Sequence, residues 1–143
     1  MTFKKINADI TAAMKASDKL RLETLRMMKS KILIVNARGD LPESETVKIL
    51  QNYAKSLKES IDIMEQHGKA EEAGKVTKEL SVVEEYLPVM LSEEEAGKLV
   101  RQAINDLGIT SIKEIGRVMK ETVGKRQDLD GSMVRKIVSE ILQ

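Results

Sequence analysis

The sequence has no cysteine and no tryptophan, and its 143 residues include only two prolines, two tyrosines, one phenylalanine and one histidine. Each shortage excludes something. Without cysteine there are no disulfides, thiolate metal sites or cysteine nucleophiles. With Phe3, Tyr53 and Tyr86 as the whole aromatic set, stacking of single-stranded bases has almost no platform. His67 stands alone beside Gly68. Its position reads as a helix end, where an imidazole can meet orphan carbonyls, rather than as the base of a nucleophile–base–orienter relay.

Other absences narrow the field further. No stretch approaches the roughly 20 apolar residues of a membrane span. The N-terminal residues Met1 to Asp9 lack the apolar run and cleavage site of a signal peptide, so a cytoplasmic protein without a membrane partner is expected. Neither of the Gly-rich phosphate loops, G-x-x-x-x-G-K-[ST] or G-x-G-x-x-G, occurs. The acidic clusters Glu71-Glu72, Glu84-Glu85 and Glu93-Glu94-Glu95 consist of adjacent residues. On a helix such neighbours point about 100° apart and do not converge on one ion. No catalytic residue, metal site or cofactor is therefore assigned.

What is present favours helix. Hydrophobic residues make up 41% and charged residues 33%, and the apolar set is mostly Leu, Ile, Val, Met and Ala. These are good helix formers, and breakers are scarce. Apolar residues recur at helical spacing almost everywhere, which predicts an all-α protein. Phe3, Ile6, Ile10 and Met14 form a first stripe with Thr2 as cap. Asp18 or Ser17 restarts the chain, and Leu22, Leu25, Met28, Ile32 and Val35 form the second. Gly39 suits a left-handed stop. Pro42 suits the first turn of a third helix carrying Val47, Leu50, Ala54, Leu57, Ile61 and Met64. Val76, Leu80, Val83 and Leu87 follow after His67-Gly68, completing an N-terminal helical hairpin bundle over residues 1–90.

Pro88 to Leu91 marks the expected boundary, and residues 91–143 read as a three-helix unit. Ser92 with Glu95 forms a capping-box pattern, and Ser111 with Glu114 repeats it. Ala96, Leu99, Val100, Ala103, Ile104 and Leu107 form the first stripe, stopped by Gly108. Ile112, Ile115, Val118 and Met119 form the second. After a polar loop from Gly124 to Gly131, Asp130 or Ser132 caps a last helix with Val134, Ile137, Val138, Ile141 and Leu142. Gly131 is read as permitting a tight turn.

Net charge is +1, yet its distribution is uneven: nine basic against four acidic residues over 1–40, six against ten over 41–91, and nine against nine over 92–143. The candidate binding residues lie in the last segment. Lys113, Arg117 and Lys120 are spaced by four and three, as on one helix face. Lys125 and Arg126 occupy the loop, and Arg135 and Lys136 the last helix. Such a set can contact phosphates, and a folded RNA read by shape needs no aromatic platform. An ordinary solvated face would show the same residues.

Several segments taken together carry a family resemblance. They are Leu25-Arg26-Met27-Met28-Lys29-Ser30, Glu85-Tyr86-Leu87-Pro88 ahead of Leu91-Ser92-Glu93-Glu94-Glu95, Ile115-Gly116-Arg117-Val118-Met119, and Leu129-Asp130-Gly131-Ser132-Met133-Val134. In this order and spacing they resemble the YqeY family over essentially the whole chain. That family is similar to the C-terminal tail of GatB, the B subunit of the tRNA-dependent amidotransferase, a carbon–nitrogen ligase that takes its amide nitrogen from glutamine. The resemblance implies two helical modules and a tRNA-binding accessory role, with tRNA and amidotransferase or other translation proteins as partners. It implies no chemistry in this chain, because the kinase-like domain and the glutaminase lie elsewhere. Asp128 and Leu129 stand where the family commonly has Arg and Ala.

Two other readings use the same residues. A helical protein–protein adaptor would use the basic N-terminal segment and the acidic middle. An amidotransferase enzyme would require added chains to complete a catalytic site.

Overall fold

Helical periodicity becomes seven α-helices in the computed structural model, which describes residues 1–142. Helices α1 (Thr2–Lys15), α2 (Lys19–Val35), α3 (Glu43–Gln66) and α4 (Ala70–Glu84) belong to one unit, Met1–Leu87. Helices α5 (Glu93–Leu107), α6 (Ile115–Glu121) and α7 (Gly131–Ile141) belong to a second unit starting at Pro88. A 3-10 turn, Ile112–Glu114, leads into α6. No strand occurs among the described residues. No helix there is long and apolar enough to cross a membrane.

In the first unit α1 packs on α2, α3 packs on α4, and α2 touches both α3 and α4. Each helix sends one row inward. Ile6, Leu25, Met28, Ile32, Leu50 and Val83 have no solvent-accessible surface. Burial of a side chain of this size stabilises by about 1.5–3 kcal/mol. The expected stripes fray at their ends. Met14 is 54% exposed, and Ala13, two turns after Ile6, takes the core position. Val35 is the last residue of α2 and is exposed. The hairpin of α3 and α4 also thins outward: between residues 58 and 75 only Ala73 is buried.

The cap of α1 differs from the expected one. Met1 holds the cap position, and Thr2 lies in the first turn. The carboxylate of Glu43, from the start of α3, accepts hydrogen bonds from the Thr2 N–H at 3.1 and 3.2 Å and from the Thr2 hydroxyl. A negative charge there complements the positive end of the helix dipole. Pro42 sits one position earlier than expected, as the residue before α3, and its carbonyl accepts from the amides of Glu45 and Thr46. Gly39 is left-handed, at φ 69°, and a Cβ there would stand 2.3 Å from the Phe3 ring. Only glycine lets that ring close over the turn.

Tyr86, beyond the end of α4, binds back to α1. Its hydroxyl donates to Asp9 Oδ2, Lys5 Nζ also donates to Asp9 at 3.2 Å, and the Lys5 ammonium lies 4.5 Å from the Tyr86 ring centroid. The Tyr86 hydrogen bond, followed by Lys5, holds the Asp9 carboxyl below its ordinary range. Burial, with the Asp9 carboxylate second, pushes the Tyr86 hydroxyl well above its ordinary value. Arg21 Nη1 donates to Glu85 at 2.7 Å, tying α2 to the same end of α4.

The second unit encloses its own core of Ala96, Val100, Val118, Val134 and Val138, all without accessible surface. Ser92 accepts from the Glu95 N–H at 3.2 Å, and Gly108 ends α5 in the left-handed region. Ser111 and Glu114 do not form a second capping box: Ser111 accepts from the Lys113 N–H, and Glu114 pairs with Arg117 instead. Asp130 caps α7 by accepting from the Ser132 N–H at 3.0 Å. Gly131 is the first residue of α7 and has no left-handed backbone, so the position does not call on glycine's conformational freedom. Gly124 is the crowded glycine, since a Cβ there would meet the Lys120 carbonyl at 2.4 Å. Ile141, expected in the core, is 37% exposed, and Leu142 is buried.

Candidate nucleic-acid interface

All seven candidate cations are exposed. Arg117 and Lys120, three apart on α6, share a face. Lys113 lies in the preceding 3-10 turn, so the single regular helix face expected for the three does not form. The tighter winding of that turn changes its angular step. Lys125 and Arg126 lie between α6 and α7, and Arg135 and Lys136 stand on α7.

Neighbouring carboxylates engage four of the seven. Arg117 meets Glu114 at 3.0 Å, Lys125 meets Glu121 at 2.6 Å, and Lys136 lies 3.6 Å from Glu93. Arg126 makes a bidentate contact with Asp128, at 2.9 Å through Nε and 2.8 Å through Nη2. That hydrogen bonding lowers the Asp128 carboxyl below its ordinary range and raises the Arg126 guanidinium above its own. Asp128, where the resemblance leads one to expect a basic residue, thus neutralises the loop. Lys113, Lys120 and Arg135 have no carboxylate at ion-pair distance among the described residues.

Arg135 and Lys136 also line an open hollow of about 500 Å³ with Gly131, Ser132 and Ser139. Ser132, Arg135 and Ser139 follow one another at spacings of three and four, so α7 presents them on one face. The Ser139 hydroxyl donates to the Arg135 carbonyl at 2.9 Å, which fixes its rotamer. The two serines were legible in the sequence as part of that helical row, but no charge singled them out. The hollow offers two cations and the Ser132 hydroxyl, a set suited to phosphate oxygens, while the Ser139 proton is held by the Arg135 carbonyl. Among the described residues, no three His, Cys, Asp or Glu side chains gather as a metal site.

The family model of Yqey-like proteins matches residues 3–142. The chain belongs to the YqeY family. No curated protein matches it. The YqeY match runs through both units, and the segments that carried the resemblance now have physical roles. Leu25 and Met28 are core, Tyr86 binds Asp9, and Asp130 caps α7.

Proposed function

We propose that this YqeY chain is a tRNA-binding accessory module, related to the tail of the tRNA-dependent amidotransferase, that binds without reacting. The observation that carries the reading is the row on α7, where Arg135, free of a carboxylate, and Lys136 open onto a hollow with the Ser132 hydroxyl. Lys113 and Lys120 add exposed charge on the stretch leading through α6. Phosphate contacts of this kind position a nucleic acid without reading its bases. The module works in the cytoplasm, beside amidotransferase or other translation proteins.

The test is tRNA binding at two salt concentrations, with duplex DNA as comparison. Affinity for tRNA should fall steeply with salt, each neutralised phosphate adding about 0.7–0.9 to the downward slope of log affinity against log salt. A Lys113→Ala, Lys120→Ala, Arg135→Ala variant should weaken binding more than a Lys125→Ala, Arg126→Ala variant, because the latter pair is already satisfied within the protein. No tRNA binding at low salt, or equal loss in both variants, would overturn the reading.

A further inference from the structure

The carboxylates beside the candidate cations do not withhold charge equally. Lys125 meets Glu121 and Lys136 meets Glu93 through an ammonium, and Arg117 meets Glu114 through Nη1 alone. Each of these contacts leaves donors unused, and an ammonium on a flexible stem turns readily from one acceptor to another. Arg126 differs. Its Nε and Nη2 both bind Asp128, so a fork edge that would take two phosphate oxygens is already filled by a carboxylate.

The backbone fixes that carboxylate on both sides. The Asp128 carbonyl accepts from the Leu91 N–H at 2.8 Å, and the next residue, Leu129, is buried in the core of the second unit. Asp130 directs its own carboxylate to the cap of α7. The loop therefore holds a neutral Arg126–Asp128 pair in a fixed place, with Lys113 and Lys120 before it in the chain and Arg135 and Lys136 after it. A phosphate arriving at this loop meets a guanidinium whose charge is cancelled and a carboxylate that repels it.

We infer that Asp128 is a specificity-determining residue of the proposed tRNA interface: by locking Arg126 it closes the loop between α6 and α7 to phosphates and confines their contacts to Lys113, Lys120, Arg135 and Lys136. This rests on the tRNA reading and adds to it which part of the surface is closed. The lock works against indiscriminate binding. Any phosphate backbone gains from one more available cation, whatever its sequence or shape, so withholding one weakens unselective partners at least as much as the selected one.

The experiment measures binding of tRNA and of duplex DNA by the full chain, against salt, for the parent, Asp128→Asn and Asp106→Asn, each with and without Arg126→Gln. Asp106 is an exposed carboxylate on α5 that accepts from Gln102, so its amide removes the same charge without releasing a cation. Asp128→Asn should tighten binding about threefold or more, and add about 0.7–0.9 to the downward slope of log affinity against log salt, one further phosphate being neutralised. The gain should be at least as large for duplex DNA as for tRNA. On the Arg126→Gln background it should shrink to the gain given by Asp106→Asn. The amide keeps the backbone carbonyl that binds Leu91, so circular dichroism should show unchanged helix content. A gain no larger than that of Asp106→Asn, a gain that survives Arg126→Gln, or a gain confined to tRNA would each overturn the inference. Weaker binding by Asp128→Asn would also overturn it, by making Asp128 a support for Arg126 instead of a lock. The two readings fail separately. A parent that does not bind tRNA at low salt overturns the tRNA reading alone if Asp128→Asn gains Arg126-dependent binding to duplex DNA, and overturns both if neither protein binds either nucleic acid.

Discussion

In the first unit three side-chain contacts run between segments far apart in sequence. Glu43 reaches Thr2, Asp9 reaches Tyr86, and Glu85 reaches Arg21. In the second unit most run a few residues along the same stretch: Glu114 to Arg117, Glu121 to Lys125, Asp128 to Arg126. Among the described residues only the Lys136–Glu93 ion pair spans two helices there. Of the long-range contacts, those of Glu43 and Asp9 are partly buried and that of Glu85 is exposed, and all three tie distant segments together. The local ones lie in solvent, where an ion pair contributes little. Yet the local pairs decide which cations remain free to bind. A tally of basic residues therefore overstates the candidate interface, because it does not see which carboxylate stands beside each one.

The comparison is broken first by the core. Leu25→Ala should destabilise the first unit by about 2–5 kcal/mol in denaturant unfolding, through lost burial and the cavity left behind. Next come the glycines. Gly39→Ala meets both a left-handed backbone and the Phe3 ring, and should cost about 2–4 kcal/mol. Gly131→Ala meets neither, and should change stability by less than about 1 kcal/mol, toward stabilisation. A large loss at Gly131 would mean that backbone conformation and open space do not distinguish it from Gly39.

The long-range hydrogen bond is sharper. Tyr86→Phe should cost about 1–2 kcal/mol near neutral pH. Its pH dependence has two arms. The Asp9 carboxyl is lowered in the folded state, so its contribution is full above the unfolded value of 3.8 and is lost as pH falls through the lowered folded value. The Tyr86 hydroxyl is raised, so its contribution is full below the unfolded value of 10.0 and is lost as pH rises above it toward the folded value. Unfolding free energy measured against pH should show both arms in the parent, and Tyr86→Phe should shrink the alkaline one to the part that buried Tyr53 contributes and weaken the acid one. The smallest effect belongs to the second unit: Lys125→Gln should change stability by less than about 0.5 kcal/mol, because its pair with Glu121 is exposed.

Much of this fold was legible as pattern. The inward rows of α2, α3, α5 and α7 follow the apolar spacing, and Ser92, Gly108 and Asp130 mark helix ends as their chemistry dictates. The misses have a common cause. Thr2 looked like a cap because the carboxylate that does that work is 41 positions away. Glu114 looked like half of a capping box because sequence spacing does not tell a 3-10 turn from a regular one. The candidate cations were legible as charges, but the pairs that bind Arg126 and Lys136 depend on loop closure and on packing of α5 beside α7.

The three aromatic side chains, Phe3, Tyr53 and Tyr86, all lie in the first unit. The second unit is therefore optically silent in the near ultraviolet. Tyrosine emission and absorbance follow unfolding of α1 to α4 alone, whereas the far-ultraviolet amide signal follows all seven helices. Any difference between the two melting curves isolates the half of the molecule that carries no chromophore, with no label attached and no residue changed.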